Sequence, residues 1–375
     1  MKKLNFIIKC GLALLLLSFY SCESWLNVTP SDRLSEEMLF NDREGFVKAL
    51  NGVYIELNTN ELYGRNLTAG ALDVMGQYYS VASSSHAFYN YGGLVYTGND
   101  EKALFDNMWQ KCYAVIACCN TIIEKCDENK AGLSPVWRGS IKGEALALRA
   151  MLHFDMLRLF GPLTSELDKE SIPYQTNSDQ TVTPLLSGSE VVGLILDDLK
   201  NAVGLLKDTD PYFVEEEFSD TDLNYRRFRM NYFAAKGLMA RVQLWGGDKE
   251  KAAATAKEVI AEGQAEGAEF FPFVTNSEAT SSNPDRVFYS EVLFGTYHSS
   301  REKLHEDLFA PTLESTSILT LAGTARRDDL YDNENDYRYS VWSTYNKNGT
   351  SVLYHRKFEK QDNVTASRQY MIPLI

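Results

Sequence analysis

Aromatic side chains are the groups in this sequence best placed to do chemistry. Residues 60–105 hold Tyr78-Tyr79, Tyr89-Asn90-Tyr91-Gly92-Gly93 and Tyr96 among Ser, Gly and Asn, and residues 266–375 carry Tyr331, Tyr337, Tyr339, Trp342 and Tyr345. A sugar ring offers a flat C–H face and a rim of hydroxyls. Tyr and Trp meet the face at low entropic cost, and Asn, Ser, Arg and Asp bond the rim. One stacked ring is worth about 1 kcal/mol at ~25 cal/mol per Å² of apolar surface removed from water. Two or three such contacts, less the cost of association, give affinities on the order of μM to mM. The expected ligand contacts are Tyr78, Tyr79, Tyr89 and Tyr91 in the first segment and Trp342 in the second, with Asn90 as a polar companion. The competing reading of each ring is packing, as a plug that holds its loop to the body.

Other chemistries find less support. There is no phosphate-cradling Gly loop, Cys-x-x-Cys pair, His-Glu-x-x-His or Gly-x-Ser-x-Gly. His86, His153, His298, His305 and His355 are scattered. His298 and His305, with Glu306 adjacent, read as a solvated pair rather than a metal site, and His153 as a hydrogen-bonded core residue. Cys112, Cys119 and Cys126 share a helical stripe with Ile116 and Ile123. With Cys118 they read as structural thiols, because free Cys packs as a small hydrophobe. Glu215-Glu216-Glu217 lacks the alternating spacing and turn glycine of a calcium loop and reads as solvated loop. Neither a metal nor a cofactor is expected. Carboxylates are numerous, and a glycoside-cleaving pair would need a separation of roughly 5–9 Å, which spacing in sequence does not fix.

The elements that would position these groups are mainly helical between residue 41 and about 262. Asn41-Asp42-Arg43-Glu44 is a capping-box pattern, followed by Phe46, Val47, Leu50, Val53, Tyr54 and Leu57 on one face. Ser134-Pro135 opens a long helix that Gly161-Pro162 ends, and this helix is apolar nearly all round, the mark of burial between neighbours. Residues 162–186, with Pro162, Pro173 and Pro184, read as loop. Ser187-Gly188-Ser189-Glu190 is a second capping box. Helices over Asn231–Trp245 and Lys249–Ala261 flank the turn Gly246-Gly247-Asp248, and Ala240 and Ala252 allow them close approach, as in a tetratricopeptide hairpin. Residues 60–105 and 266–375 read as irregular segments with some short strands laid over this scaffold.

The 375 residues are 44% hydrophobic and 23% charged, which excludes collagen-like, disordered and polytopic membrane chains. A net charge of −14 argues against nucleic acid as a partner. Met1-Lys2-Lys3 followed by the apolar run Phe6–Phe19, too short to span a bilayer, reads as a bacterial export signal over residues 1–21. Ser21 precedes Cys22, which suits thioether lipidation of Cys22 as the first mature residue, although Phe19 and Tyr20 are bulky for a strict lipobox. Losing Lys2, Lys3 and Lys9 takes the net charge from −14 to −17, so an acyl anchor would be the sole membrane contact.

Four stretches together resemble the SusD/RagB family, the lipid-anchored glycan-capturing proteins of Bacteroidetes nutrient uptake. They are Cys22-Glu23-Ser24-Trp25-Leu26-Asn27-Val28-Thr29-Pro30; Ala49-Leu50-Asn51-Gly52-Val53-Tyr54; Glu144 through Ala150 and on through His153-Phe154-Asp155-Met156-Leu157-Arg158-Leu159-Phe160-Gly161; and the Ala240-Arg241-Val242 to Ala252 hairpin. The resemblance implies a mostly α fold, a TPR-like scaffold of helical hairpins with aromatic-rich loop insertions and a few short strands. It divides the chain into a signal (1–21), an N-terminal helical scaffold (22–265, with the 60–105 insert) and a C-terminal region (266–375). It further implies an outer-membrane, surface-exposed lipoprotein that captures oligosaccharide without catalysis and passes it to a partner SusC-like TonB-dependent transporter. The rivals are a lipid-anchored helical glycoside hydrolase and a TPR-type peptide- or protein-binding adaptor. Family members usually continue past a segment like Tyr370–Ile375 into a further helical pair, so region 266–375 reads as truncated, with an apolar face left uncovered. The loops themselves do not match the family residue by residue, so only their location carries over.

Overall fold

The computed structural model describes residues 36–375 apart from 180 and 266–267. The signal, Cys22 and the motif that follows it lie outside the described residues. Six long helices form the scaffold: α1 (Arg43–Leu57), α2 (Asn99–Glu128), α3 (Pro135–Phe160), α4 (Gly188–Thr209), α5 (Tyr232–Trp245) and α6 (Lys249–Gly263). The fold is the mostly helical, TPR-like arrangement expected from the periodicity and the resemblance.

Helix boundaries follow local side-chain chemistry. Ser134 accepts a hydrogen bond from the Trp137 amide ahead of Pro135, and Gly161 caps the other end of α3. Ser187 and Glu190 form the full reciprocal capping box of α4. The cap of α1 is Asp42 rather than Asn41: its carboxylate accepts from the Gly45 amide at 2.8 Å, one residue later than the sequence pattern suggests. At the α5–α6 turn Gly247 takes φ +93°, a left-handed geometry that glycine adopts without a Cβ clash, and Asp248 then caps α6.

Helix α3 is the core of the scaffold, buried along nearly its whole length, with α2 on one side and α4 on the other. The closest approach is to α4, where a Cβ on Gly143 would stand 2.7 Å from Leu206 Cγ and one on Gly139 2.6 Å from Thr209 Cγ2. The few polar residues on α3 point into closed networks. Glu144 accepts from the Tyr54 hydroxyl at 2.6 Å, from Arg229 Nε at 3.1 Å and from buried Arg226. Arg149 donates through Nε and Nη2 to Asp198, both at 2.7 Å, and through Nη1 to Asn120 at 2.8 Å. His153 is fully buried, stacks on Tyr174 at 4.0 Å, and lies 3.0 Å from both the Arg149 carbonyl and the Gln175 amide. Its Nε2 accepts from that amide, so Nδ1 donates to the carbonyl, and burial pulls its pKa down to about 3. It is the core histidine the sequence suggests.

The Cys112, Cys119 and Cys126 stripe is buried on α2, and Cys118 is exposed. Residues 162–186 are more ordered than loop, because β1 (Glu170–Pro173) pairs antiparallel with β2 (Leu185–Ser187). Beyond α6, β3 (Gly295–Tyr297) pairs antiparallel with the late strand β6 (Met371–Pro373), the helix α7 (Arg301–Leu308) follows β3, and β4 (Trp342–Lys347) forms a hairpin with β5 (Thr350–His355). His305 on α7 is buried, so the His298/His305 pair is not solvated as expected. Residues 60–105 fold mainly into turns and short helices. Among the described residues no helix is long and apolar enough to cross a membrane.

Candidate ligand cleft

The two aromatic segments meet. Ser80 donates its amide to the Thr320 carbonyl at 2.7 Å in an isolated β-bridge, and the Tyr78 and Tyr331 hydroxyls lie 2.6 Å apart. Beside this junction opens a cleft of about 580 Å³, within the ~300–1,000 Å³ of small-molecule sites. Its floor comes from the scaffold, with Asp155 and Arg158 at the end of α3 and Leu238 and Arg241 on α5. Asp73, Tyr78, Tyr331, Arg286, Glu291 and Lys357 line its walls, together with the Ile372–Ile375 segment.

The floor is rigid. Tyr63 donates to Asp155 Oδ2 at 2.5 Å, and Arg158 pairs with the other carboxylate oxygen. The wall is less settled electrostatically. Burial pushes the Asp73 carboxyl up to about 6, with the Lys357 ammonium pulling it down. Burial depresses Lys357 in turn, Asp73 raises it and Arg301 lowers it. Burial also raises the Tyr78 hydroxyl, and its hydrogen bond to Tyr331 adds to that. Such a mixture of flat rings, guanidinium forks and carboxylates can stack against a saccharide and hydrogen-bond its hydroxyls.

The sequence-derived candidates divide between cleft, surface and core. Tyr78 lines the cleft, half-buried, with its ring 4.9 Å from Tyr79. Tyr79 also borders the cleft but is 5% exposed, its hydroxyl 3.1 Å from His355 Nδ1. Tyr89 is 43% exposed on a short helical turn away from the cleft lining, and the neighbouring Asn90 amide is engaged by Glu101 at 2.9 Å. Three rings are not displayed as expected, and the first is Tyr79, packed among Phe309, Trp342 and His355. Tyr91 is buried against Phe88 and Phe105, because its turn folds back onto the start of α2. Trp342 is 4% exposed and lies 4.5 Å from the His355 ring, because it occupies the inward position where β4 begins; Tyr345, further along that strand, is the ring left outside. Cys22 lies outside the described residues.

Sequence reasoning named Tyr331 only as one of several aromatics and missed Asp73, Arg338 and Lys357. Nothing in local spacing marks them, since each comes from a different irregular segment. Asp155 and Arg158 did carry a signal, as charged residues three apart on a mostly apolar helix. Among the described residues no group of three or more His, Cys, Asp or Glu side chains is arranged to hold a metal ion.

Comparison with known proteins fits this architecture. Residues 24–244 match a SusD-like family model described as starch-binding and associating with the outer membrane. A SusD-like protein of Formosa agariphila is 25% identical over 265 residues, covering 69% of this chain and 46% of the relative. A SusD-like protein of Bacteroides ovatus is 30% identical over 146 residues, covering 38% of this chain and 23% of the relative. The chain thus spans less than half the length of the curated relatives it matches. Among solved structures, a SusD superfamily protein of Bacteroides thetaiotaomicron superposes with TM-score 0.68 at 20% identity, covering 89% of this chain and 73% of that one. A SusD-like carbohydrate binding protein of Bacteroides vulgatus superposes with TM-score 0.66 at 20% identity, covering 89% and 69%. With the family model spanning more than half of its residues and the helical scaffold shared, the chain belongs to the SusD-like family.

Proposed function

We propose that this protein binds oligosaccharide in the cleft beside Tyr78 and Tyr331 and, held at the outer membrane by a lipid on Cys22, delivers it to a TonB-dependent transporter of the SusC type. The observation that carries the reading is the convergence of two aromatic segments, far apart in sequence, on one saccharide-sized cleft. Family membership supports it, because the family is described as starch-binding and associating with the outer membrane. Exposed Tyr89 is a second contact outside the cleft, for a longer chain. Capture without chemistry suits a floor whose carboxylate, Asp155, is engaged on both oxygens by Tyr63 and Arg158.

Hydrolysis would call on Asp73, a carboxyl that lines the cleft and that burial raises to about 6, the direction a glycosidase acid needs. Affinity electrophoresis of the full chain in gels containing single polysaccharides, with reducing-end analysis of the same mixtures, separates the two. Retardation by a glycan with no new reducing ends supports capture. New reducing ends that vanish in Asp73→Asn support hydrolysis. Retardation by no glycan, with tight binding to a peptide instead, supports the adaptor reading.

A further inference from the structure

The cleft is cationic on a strongly acidic protein. Arg158, Arg241, Arg286, Arg338 and Lys357 line it, against Asp73, Asp155 and Glu291, while the whole chain carries −14. Pairing narrows this excess but leaves Arg241, Lys357 and a shared Arg286 against Asp73 and Glu291. Arg158 is neutralised by Asp155, and Arg338 by Asp336 at 2.5 Å. Arg286 shares one carboxylate with Arg356: its Nη1 stands 3.1 Å from Glu359 Oε2, off the angle of a hydrogen bond, while Arg356 Nε donates to the same oxygen at 2.8 Å. Among the described residues Arg241 donates only to the Leu374 carbonyl, at 3.1 Å, with Asp155 near enough to attract it. Lys357 has no hydrogen bond or ion pair among the described residues, although Asp73 is near enough to attract it; its ammonium lies 5.4 Å from the Phe358 ring centre. Arg301, 1% exposed and close enough to Lys357 to repel it, spends its Nη1 on the Arg368 and Met371 carbonyls; among the described residues it makes no ion pair, although Asp285 is near enough to attract it. Holding Arg286 and Arg301 buried and Lys357 half-buried is unfavourable unless an anion joins them, and Arg241 lies exposed beside them.

We infer that the cleft selects glycans bearing an anionic substituent, a uronate carboxylate or a sulfate ester, seated between Lys357 and the Arg286 and Arg241 guanidiniums. Arginine forks match the paired oxygens of either group, and the lysine adds a point charge. Tyr78 and Tyr331 would then stack on the neighbouring sugar. The cationic cleft also gathers an anionic ligand that the acidic exterior repels. The inference rests on the glycan-capture reading of the same cleft and narrows it.

The test is calorimetry on the full chain in neutral detergent, with four probes: tetragalacturonate, its methyl ester, a sulfated tetrasaccharide and its desulfated form. The expected result is at least tenfold tighter binding of one charged form than of its neutral counterpart, and which one identifies the anion. Lys357→Met and Arg241→Gln each shrink that preference at least threefold, and Lys357→Arg keeps it. Should a variant fail to fold, salt replaces it: the wild-type preference falls at least fivefold between about 20 and 300 mM NaCl. Equal binding of charged and neutral forms overturns the inference and leaves glycan capture standing. A preference that survives both substitutions, or is unmoved by salt, overturns it as well. Binding of none of the four overturns it as well; glycan capture itself falls only if the polysaccharide gels also show no retardation.

Discussion

The phenol oxygens of Tyr78 and Tyr331 lie 2.6 Å apart across 253 residues of sequence, and this contact joins the two aromatic segments at the mouth of the cleft. Both rings are half-buried, so each hydroxyl has given up water for the other. Tyr78→Phe and Tyr331→Phe should each lower stability by about 1 kcal/mol, the usual net worth of such a bond. Urea unfolding of both singles and the double should show the double losing clearly less than the sum, because the second change removes a bond already broken. Additive losses would mean that the hydroxyls do not meet.

Trp342→Ala should act on stability before it acts on any ligand. The ring is buried against His355, Tyr78 and Tyr79, and truncating a buried Trp typically costs about 3–5 kcal/mol. A drop of that size in the unfolding free energy is expected. Tyr345→Ala on the exposed part of the same strand should change it by less than about 0.5 kcal/mol.

Acid should weaken the fold before the carboxylates titrate. His153 is held neutral with its pKa at about 3, and burial takes His355 well below the ordinary value too. The unfolded chain binds these protons from about pH 6.5 downward while the folded chain refuses them, so stability present above 6.5 is lost as pH falls. Each group contributes up to about 1.4 kcal/mol per pH unit in that window. Asp73, raised to about 6, works in the opposite sense: its contribution is present below about 3.8 and lost as pH rises through 6. Urea midpoints between pH 7 and 5 should fall for the wild type and fall less steeply for His153→Gln.

Gly143→Ala tests the α3–α4 contact. The added methyl would meet Leu206 Cγ at 2.7 Å and the Ala202 carbonyl at 3.4 Å. Overpacking of this kind costs about 1–3 kcal/mol, against a gain of up to about 1 kcal/mol from better helix propensity. A net loss is expected, smaller when Leu206 is shortened to Ala in the same chain. A stabilised Gly143→Ala would show that the helices stand further apart.

Much of the scaffold was legible because periodicity and caps are local. The Ser187–Glu190 box, the Ser134-Pro135 start and the Gly247 turn each need only a few neighbouring residues to act. The motif on α3 was legible as a pattern but not as a structure. That Glu144 meets Arg226, and Arg149 meets Asp198, depends on helices brought together by packing. The cleft was the least legible part. Exposure of an aromatic ring in an irregular segment is set by which turn folds back, so Tyr91 and Trp342 went inward while Tyr331 was left at the rim. Lys357 and Asp73 face each other through space, from segments with no shared period.

The most direct test is calorimetric titration of the full chain, wild type and Tyr331→Ala, with whichever glycan retards it in the gel panel. Loss of one stacking ring at the rim predicts affinity weakened roughly tenfold, with a thermal unfolding midpoint within a few degrees of wild type. Undiminished affinity in Tyr331→Ala would contradict the account and put the saccharide somewhere other than this cleft.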